Sequence, residues 1–190
     1  MKILAIRGRN LASLSGEFAL DFGAEPLKSS GLFAITGPTG AGKSTILDAL
    51  CLALFDATPR LDARGGPEIG RAGDAERLPA YDVRSLMSRG ATDALAQVDF
   101  VGRDGHRWRA TWTVARARGE KGGKIQKQNL ALVDLGDDQP AGGTKTETLA
   151  AIEDKLGLTF DQFRKSVLLA QGDFADVLKA NADERSLLLQ

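Results

Sequence analysis

One glycine-rich stretch carries the clearest chemistry and fills every fixed position of G-x-x-x-x-G-K-S/T: Gly37, Pro38, Thr39, Gly40, Ala41, Gly42, Lys43, Ser44 and Thr45. Glycines let the backbone turn tightly, so that successive amide groups can point at an anion. Lys43 is predicted to reach the β- and γ-phosphates of a nucleotide, and the Ser44 hydroxyl to take one position around Mg²⁺. The motif predicts nucleotide binding but names no reaction.

The elements on either side of this stretch decide whether the motif is genuine. Residues 31–36 form a short apolar run typical of a strand, and the apolar residues after the motif recur at helical spacing as far as Phe55. We therefore predict a strand at Leu32–Thr36 and a helix from about Gly42 to Phe55. Strand, glycine loop and helix is the order that phosphate binding requires. A glycine-rich turn that binds nothing is the alternative that this context disfavours.

Composition sets the broad class of the protein. The chain has 190 residues, a hydrophobic content of 43% and a formal net charge of zero, so we expect one domain and only local charged patches. No apolar run has membrane-spanning length, and the N-terminus does not follow the pattern of a signal peptide. The lone cysteine, Cys51, is expected to be a core residue. We expect a cytoplasmic protein that does not enter a membrane.

The remaining elements are predicted from alternation, turn residues and helical spacing. Residues 60–80 are rich in glycine and proline and predict a loop. Asp104-Gly105 predicts a hairpin turn inside an antiparallel meander. The predicted strands and helix are Lys2–Arg9, Glu17–Phe22, Leu95–Val101, His106–Ala115, Leu130–Leu135 and Thr146–Leu156.

Three features resemble catalytic motifs but are not expected to have a catalytic role. Asp134 ends an apolar strand but is followed by Leu135 and a turn, so we predict a turn aspartate. The segment Leu14–Glu17 is one glycine short of an L-S-G-G signature and precedes a strand, so we predict a turn there. His106, the only histidine, has no acidic partner nearby in sequence, and no metal or base role is expected.

Several segments together resemble one family, the SbcC-type proteins among the SMC-like DNA-repair ATPases. The resemblance is carried by residues 2–14, 31–45, 47–54, 58–61, 86–89, 160–174 and 182–189. It implies an α/β fold, the N-terminal lobe of an ABC-type P-loop ATPase head, in which a mixed sheet containing the P-loop strand stands beside an antiparallel β-meander with flanking helices. It also implies that residues 1–181 are the N-terminal half of the head, and that 182–190 begin a truncated coiled-coil helix.

The resemblance further implies a function and partners. It suggests the ATP-binding half of a DNA double-strand-break repair ATPase, which acts with an SbcD-like nuclease on DNA ends and hairpins. The implied partners are the C-terminal half of the same head, a second such head, the nuclease and double-stranded DNA, with ATP and Mg²⁺ as cofactors. The chain alone should hydrolyse ATP weakly at most. Two alternatives remain: another SMC-like or RecF-type head, and a nucleotide-binding module without enzymatic activity. The implied ATPase head, of either type, would act at the nucleoid.

Two further site residues follow from the resemblance. Gln171 matches the Q-loop glutamine, whose amide oxygen could hold Mg²⁺ or orient the attacking water. Asn10 matches the first turn, which approaches the nucleotide. Some relatives in that family have an arginine where this chain has Ala12. The contact that this arginine makes cannot be transferred to this chain.

A concentrated positive segment runs from Arg103 to Lys127, opposed only by Asp104 and Glu120. Arg107 and Arg109 alternate with Trp108 and are expected on one strand face. A solvated, charged sheet edge is one interpretation of this segment. The other is a DNA-binding surface, with Arg107, Arg109, Arg116, Arg118, Lys121, Lys124 and Lys127 as candidate phosphate contacts.

Overall fold

The computed structural model describes residues 1–30, 32–61, 68–69 and 78–166. The chain divides into two units, Met1–Gly157 and Leu158–Gln190. The predicted Q-loop residue Gln171 and the predicted coiled-coil start at 182–190 lie outside the described residues.

A five-stranded antiparallel sheet, ordered β2-β1-β5-β6-β7, forms the frame of the first unit. The strands are β1 (Lys2–Leu11), β2 (Leu14–Asp21), β5 (Asp93–Val101), β6 (Arg107–Ala115) and β7 (Asn129–Asp134). A separate pair joins β3 (Glu68–Ile69) to β4 (Leu78–Pro79). The meander β5-β6-β7 that the sequence predicts is therefore confirmed.

Strict alternation along β6 gives this strand one buried and one open face. In β6, Trp108, Ala110, Trp112 and Val114 are buried, whereas Arg107 lies on the other face with Arg109. This follows from the two-residue repeat of a strand, in which successive side chains point to opposite sides. The predicted hairpin is also present, and Gly105 occupies its turn with a φ of 80°, a conformation that glycine adopts readily.

Two helices cover the buried face. Helix α1 (Lys43–Phe55) contacts β1, β5 and β6, and its second half is buried on every side. It ends at Asp56, which has a φ of 50° and donates its amide N–H to the Leu52 carbonyl. Helix α2 (Lys145–Leu156) packs on β7 and α1, as its buried Ile152 requires.

Capping residues determine where α2 begins and where it ends. At its start, the Thr144 side chain and the Glu147 side chain each accept a hydrogen bond from the other residue's backbone N–H. At its end, Gly157 takes the left-handed conformation. In the second unit, α3 (Phe160–Ser166) follows Thr159, whose backbone N–H donates to Gln162 Oε1 at 3.0 Å.

The described residues do not form the mixed sheet that includes the P-loop strand, and that sheet stays a prediction. Every strand pair there is antiparallel, and residues 32–36 belong to no strand. Leu32, Phe33 and Ile35 are 92%, 47% and 42% exposed. A strand needs a neighbouring strand for its N–H and C=O groups, and no described segment pairs with this one. An apolar run can therefore have strand composition without being in a sheet.

Two local predictions also need correction. Leu14–Glu17 begins β2 and is not a turn, because Leu14 pairs with Leu11 across a bulge in β1. Within the predicted loop at 60–80, Glu68–Ile69 and Leu78–Pro79 pair as β3 and β4. In the described part of the chain, no helix has both the length and the apolar character that crossing a bilayer requires.

Candidate nucleotide-binding site

The glycine-rich stretch forms a loop that leads directly into α1. Gly42 is the N-cap, has a φ of 92° and offers no side chain to the first amides of the helix. A Cβ on Gly42 would stand 2.4 Å from Leu14 Cδ2. The start of β2 therefore packs directly against the loop at this point. Glycine is required here both by conformation and by space. The Thr45 N–H donates to the Gly42 carbonyl at 3.0 Å, whereas the N–H groups of Lys43 and Ser44 have no partner among the described residues and could bind an anion.

The Lys43 ammonium lies at the mouth of this loop. Its Nζ donates to the carbonyl oxygens of Gly37 at 2.7 Å and Pro38 at 2.9 Å. The side chain thus folds back over the loop whose amides would surround a phosphate. Neutral carbonyls are weaker partners for an ammonium than a phosphate oxygen, so a phosphate would compete for Nζ.

Ser44 and Thr45 have opposite environments. Ser44 is exposed, and in the described residues its hydroxyl has no protein partner, which leaves it available to a metal ion. Thr45 is buried, and its Oγ1 lies 3.5 Å from Ser13 Oγ. Sequence reasoning missed Ser13, because a serine in a turn gives no signal of a contact 32 residues away.

Asn10 fixes the turn that borders the loop. Its φ is 53°, its Nδ2 donates to the Asp93 carbonyl at 3.1 Å, and its Oδ1 accepts from the Gly16 amide at 3.0 Å. Both ends of the amide are therefore engaged within the protein. The predicted contact of Asn10 with a nucleotide stays a prediction, and its visible role is to hold the β1–β2 turn.

A buried polar cluster also lies on α1. Asp48 is 5% exposed, accepts from Thr58 Oγ1 at 2.6 Å and pairs with Arg60. Burial raises the pKa of Asp48, although Thr58 and Arg60 act to lower it. Burial also raises the pKa of Cys51 to about 12, so this thiol is an unreactive core group, as predicted. The cluster ties the chain after α1 to the helix, a contact that the sequence did not indicate.

The candidate DNA contacts separate into two groups. Arg109 donates through Nε and Nη2 to both oxygens of buried Asp99, at 2.7 and 2.8 Å, and Arg7 donates to the same carboxylate at 2.8 Å. Burial acts to raise the pKa of Asp99, but the two guanidinium groups hold it below its usual value. Arg116 donates to the carbonyls of Ala91 and Gly123. Arg109 and Arg116 therefore maintain the fold.

The other five candidates are exposed. Among the described residues their side chains make no hydrogen bond or ion pair with the protein, which leaves their charges available to an external anion. They are Arg107, Arg118, Lys121, Lys124 and Lys127.

His106 has an acidic partner that is distant in sequence. His106 directly precedes β6, and its Nδ1 lies 2.8 Å from Oδ2 of Asp134, the last residue of β7, 28 positions away in sequence. The hydrogen bond to Asp134 raises the pKa of His106. Asp134 also accepts from the Gly136 amide at 2.8 Å, which is the predicted turn role. In the part of the chain that the structure describes, no cluster of three or more His, Cys, Asp or Glu is placed to hold a metal.

Comparisons with known proteins agree with the loop geometry. A family model described as "AAA domain" matches residues 5–189. The chain is 53% identical to the SbcC subunit of the nuclease SbcCD from Pseudomonas aeruginosa and 44% identical to that from Rhodobacter capsulatus, in both cases over its full length. It is 27% identical, over 84% of its length, to the DNA double-strand break repair Rad50 ATPase of Methanopyrus kandleri. These alignments cover 16%, 15% and 15% of the three relatives, so the chain spans about a sixth of their length.

Proposed function

Because the chain belongs to the AAA domain family, we propose that it is the ATP-binding N-terminal half of an ATPase that acts with a nuclease subunit on DNA ends and hairpins. The observation that carries this proposal is the phosphate loop, with Lys43 Nζ at its mouth and an uncapped helix start behind it. The names of the relatives supply the nuclease partner and the repair context.

The residues of the loop fit a nucleoside triphosphate with Mg²⁺. The positive φ values at Gly40 and Gly42 open the backbone to phosphate oxygens. Lys43 would exchange its two carbonyl partners for phosphate, and the exposed Ser44 hydroxyl would ligate the metal. Mg²⁺ would neutralise phosphate charge in this site. Gln171 is proposed to complete the metal and water contacts.

An ABC-type head would need a second half, and an apolar groove gives that half a place to bind. The groove, of about 530 Å³, lies beside α1 and the segment before the loop. Its apolar walls include Ile3, Ile6, Phe22, Phe33, Ile35 and Leu47. We propose that the C-terminal half of the head covers this groove and supplies strands beside residues 32–36, which would make the sheet mixed.

The remaining proposals concern assembly and location. Residues 1–181 would belong to the head, and 182–190 would begin a coiled coil. A second head would complete the ATP site, so the isolated chain should turn over ATP slowly at most. We propose that Arg107, Arg118, Lys121, Lys124 and Lys127 contact DNA phosphates, while Arg109 and Arg116 support the surface from within. A protein with this role would act in the cytoplasm, at the nucleoid.

Nucleotide titration tests the proposed function. We expect the chain to bind a fluorescent ATP analogue with Mg²⁺, and Lys43→Ala to weaken that binding at least about tenfold, since a charged contact to phosphate is lost. Lys28→Ala removes another exposed lysine and is the matched control. Equal affinity of wild type and Lys43→Ala would refute the assignment.

A further inference from the structure

A polar cleft of about 460 Å³ lies between the C-terminal end of α1 and the start of α2, and no residue of the phosphate loop lines it. The volume falls within the range of about 300–1,000 Å³ that is usual for small-molecule sites. The walls include two carboxylates, three cationic side chains and one aromatic ring: Asp56, Asp82, Arg84, Lys127, Lys145 and Tyr81.

Both carboxylates of the cleft are already satisfied. Asp56 accepts from Trp112 Nε1 at 2.6 Å and from Gln128 Nε2 at 3.0 Å, and it pairs with Lys145. Asp82 accepts from Arg84 Nε at 3.0 Å and from Arg84 Nη2 at 2.6 Å. Neither acid is therefore free to bind a cationic ligand.

Two groups are left to meet a ligand. Lys127 is exposed, and within the described ranges its ammonium has no protein partner. The Tyr81 side chain is also exposed, at 49%, and its hydroxyl has no partner among the same residues. The lining carries three cationic groups against two acids. The cleft is thus a cationic site with an open aromatic wall.

Such a site fits a ligand that is both anionic and planar. An inorganic anion would engage Lys127 but leave the Tyr81 ring uncovered. A nucleotide unit satisfies both groups, because a base can stack on the ring while its phosphate lies near the ammonium. Stacking on an aromatic ring accepts any base, so this cleft would not select a sequence.

Lys127 connects the cleft to the proposed DNA surface. It ends the basic segment that also contains Arg118, Lys121 and Lys124. We propose that the cleft holds one unpaired nucleotide, with its base on Tyr81 and its phosphate at Lys127. This inference rests on the proposed DNA binding where the nucleotide belongs to a strand end held by the basic segment. A free nucleoside monophosphate has the same chemistry and is the other source.

The test compares two DNA hairpins, one blunt and one with a short unpaired overhang that ends in the fluorescent base 2-aminopurine. We expect binding of the overhang to quench the fluorescence. Tyr81→Ala should abolish the quenching and weaken overhang binding at least about fivefold, whereas Tyr81→Phe should keep both. Blunt-hairpin binding by Tyr81→Ala should equal that of wild type, which also shows that this variant is folded.

Other outcomes separate the cleft from the DNA surface. Lys124→Ala, which lies outside the cleft lining, should weaken blunt and overhang hairpins alike. Unchanged quenching and affinity in Tyr81→Ala would overturn the cleft proposal and leave DNA binding intact. If wild type binds neither hairpin, the proposed DNA function is refuted. Binding of the free monophosphate of 2-aminopurine riboside then tests the cleft proposal by itself. Tyr81-dependent quenching of that nucleotide would support the site, and its absence would overturn it.

Discussion

The two halves of α1 meet different surroundings. Beside its C-terminal half, Val98 and Trp112 are fully buried and their strands are paired within the chain. Beside its N-terminal half, Phe33 and Ile35 remain 47% and 42% exposed, and residues 32–36 pair with no described strand. The meander side thus completes its own core and hydrogen bonds. The phosphate-loop side has the local geometry to bind a ligand, but no described segment covers its apolar surface.

This contrast predicts a large difference in stability between two aromatic residues. Trp112→Ala should lower the free energy of unfolding by about 3–5 kcal/mol, because it empties a buried site and removes the Nε1–Asp56 hydrogen bond. Phe33→Ala should change it by less than about 1 kcal/mol. Urea unfolding of the chain measures both. A comparable loss in the two variants would show that residues 32–36 are packed as firmly as the meander.

A smaller effect is expected at the junction of loop and turn. Gly42→Ala should cost about 2 kcal/mol, since it adds backbone strain and a clash with Leu14. Gly90→Ala is a matched control, because Gly90 has a φ of 78° and open space around it. The excess cost at Gly42 should shrink in a Leu14→Ala background. Equal costs at the two glycines in both backgrounds would contradict the contact between turn and loop.

Sequence reasoning succeeded where the signal is local. The hairpin at Asp104-Gly105, the helix over Lys43–Phe55 and the stop at Gly157 are each determined by residues within a few positions of one another. The strand predicted at residues 32–36 is not observed, because a strand depends on a partner strand that its own residues do not specify.

The missed contacts are non-local in the same sense. The Asp99 carboxylate meets Arg7 from a strand 92 positions away in sequence. His106 and Asp134 meet only because β6 and β7 are in register. Spacing along the chain does not reveal such pairs. The glycine-rich loop before α1 was predictable because its nine residues determine its backbone geometry, and its nucleotide contacts stay a prediction.

The basic segment offers a test of whether its free cationic side chains contact DNA. In a complete head, changing Arg118, Lys121 and Lys124 to Ala should lower the slope of log affinity for duplex DNA against log salt by about three, roughly one for each lost phosphate contact. Arg89→Ala, which removes an exposed cationic side chain outside both the basic segment and the apolar groove, is the control. An unchanged slope, with nucleotide binding intact, would leave the segment as a charged sheet edge.

The smallest expected effect is the pH dependence of the stability that the exposed His106–Asp134 pair contributes. Asp134, and then Asp104, raise the pKa of His106 in the folded protein, while Lys155 acts to lower it. The stabilisation is therefore fully present below the unfolded pKa of about 6.5 and is lost as pH rises through the folded pKa. Urea midpoints should show this decline, and His106→Gln should remove it. A midpoint that rises with pH in wild type but not in His106→Gln would contradict the assigned sign.

Amide hydrogen exchange with and without ATP and Mg²⁺ tests the central claim most directly, since it reports on both halves of α1 in one experiment. We predict that nucleotide slows exchange in residues 37–46 of the wild-type chain, leaves β5 and β6 unchanged, and has no effect on Lys43→Ala. Nucleotide-dependent protection that is absent from 37–46, or that persists in Lys43→Ala, would contradict the assignment of this loop as the ATP site.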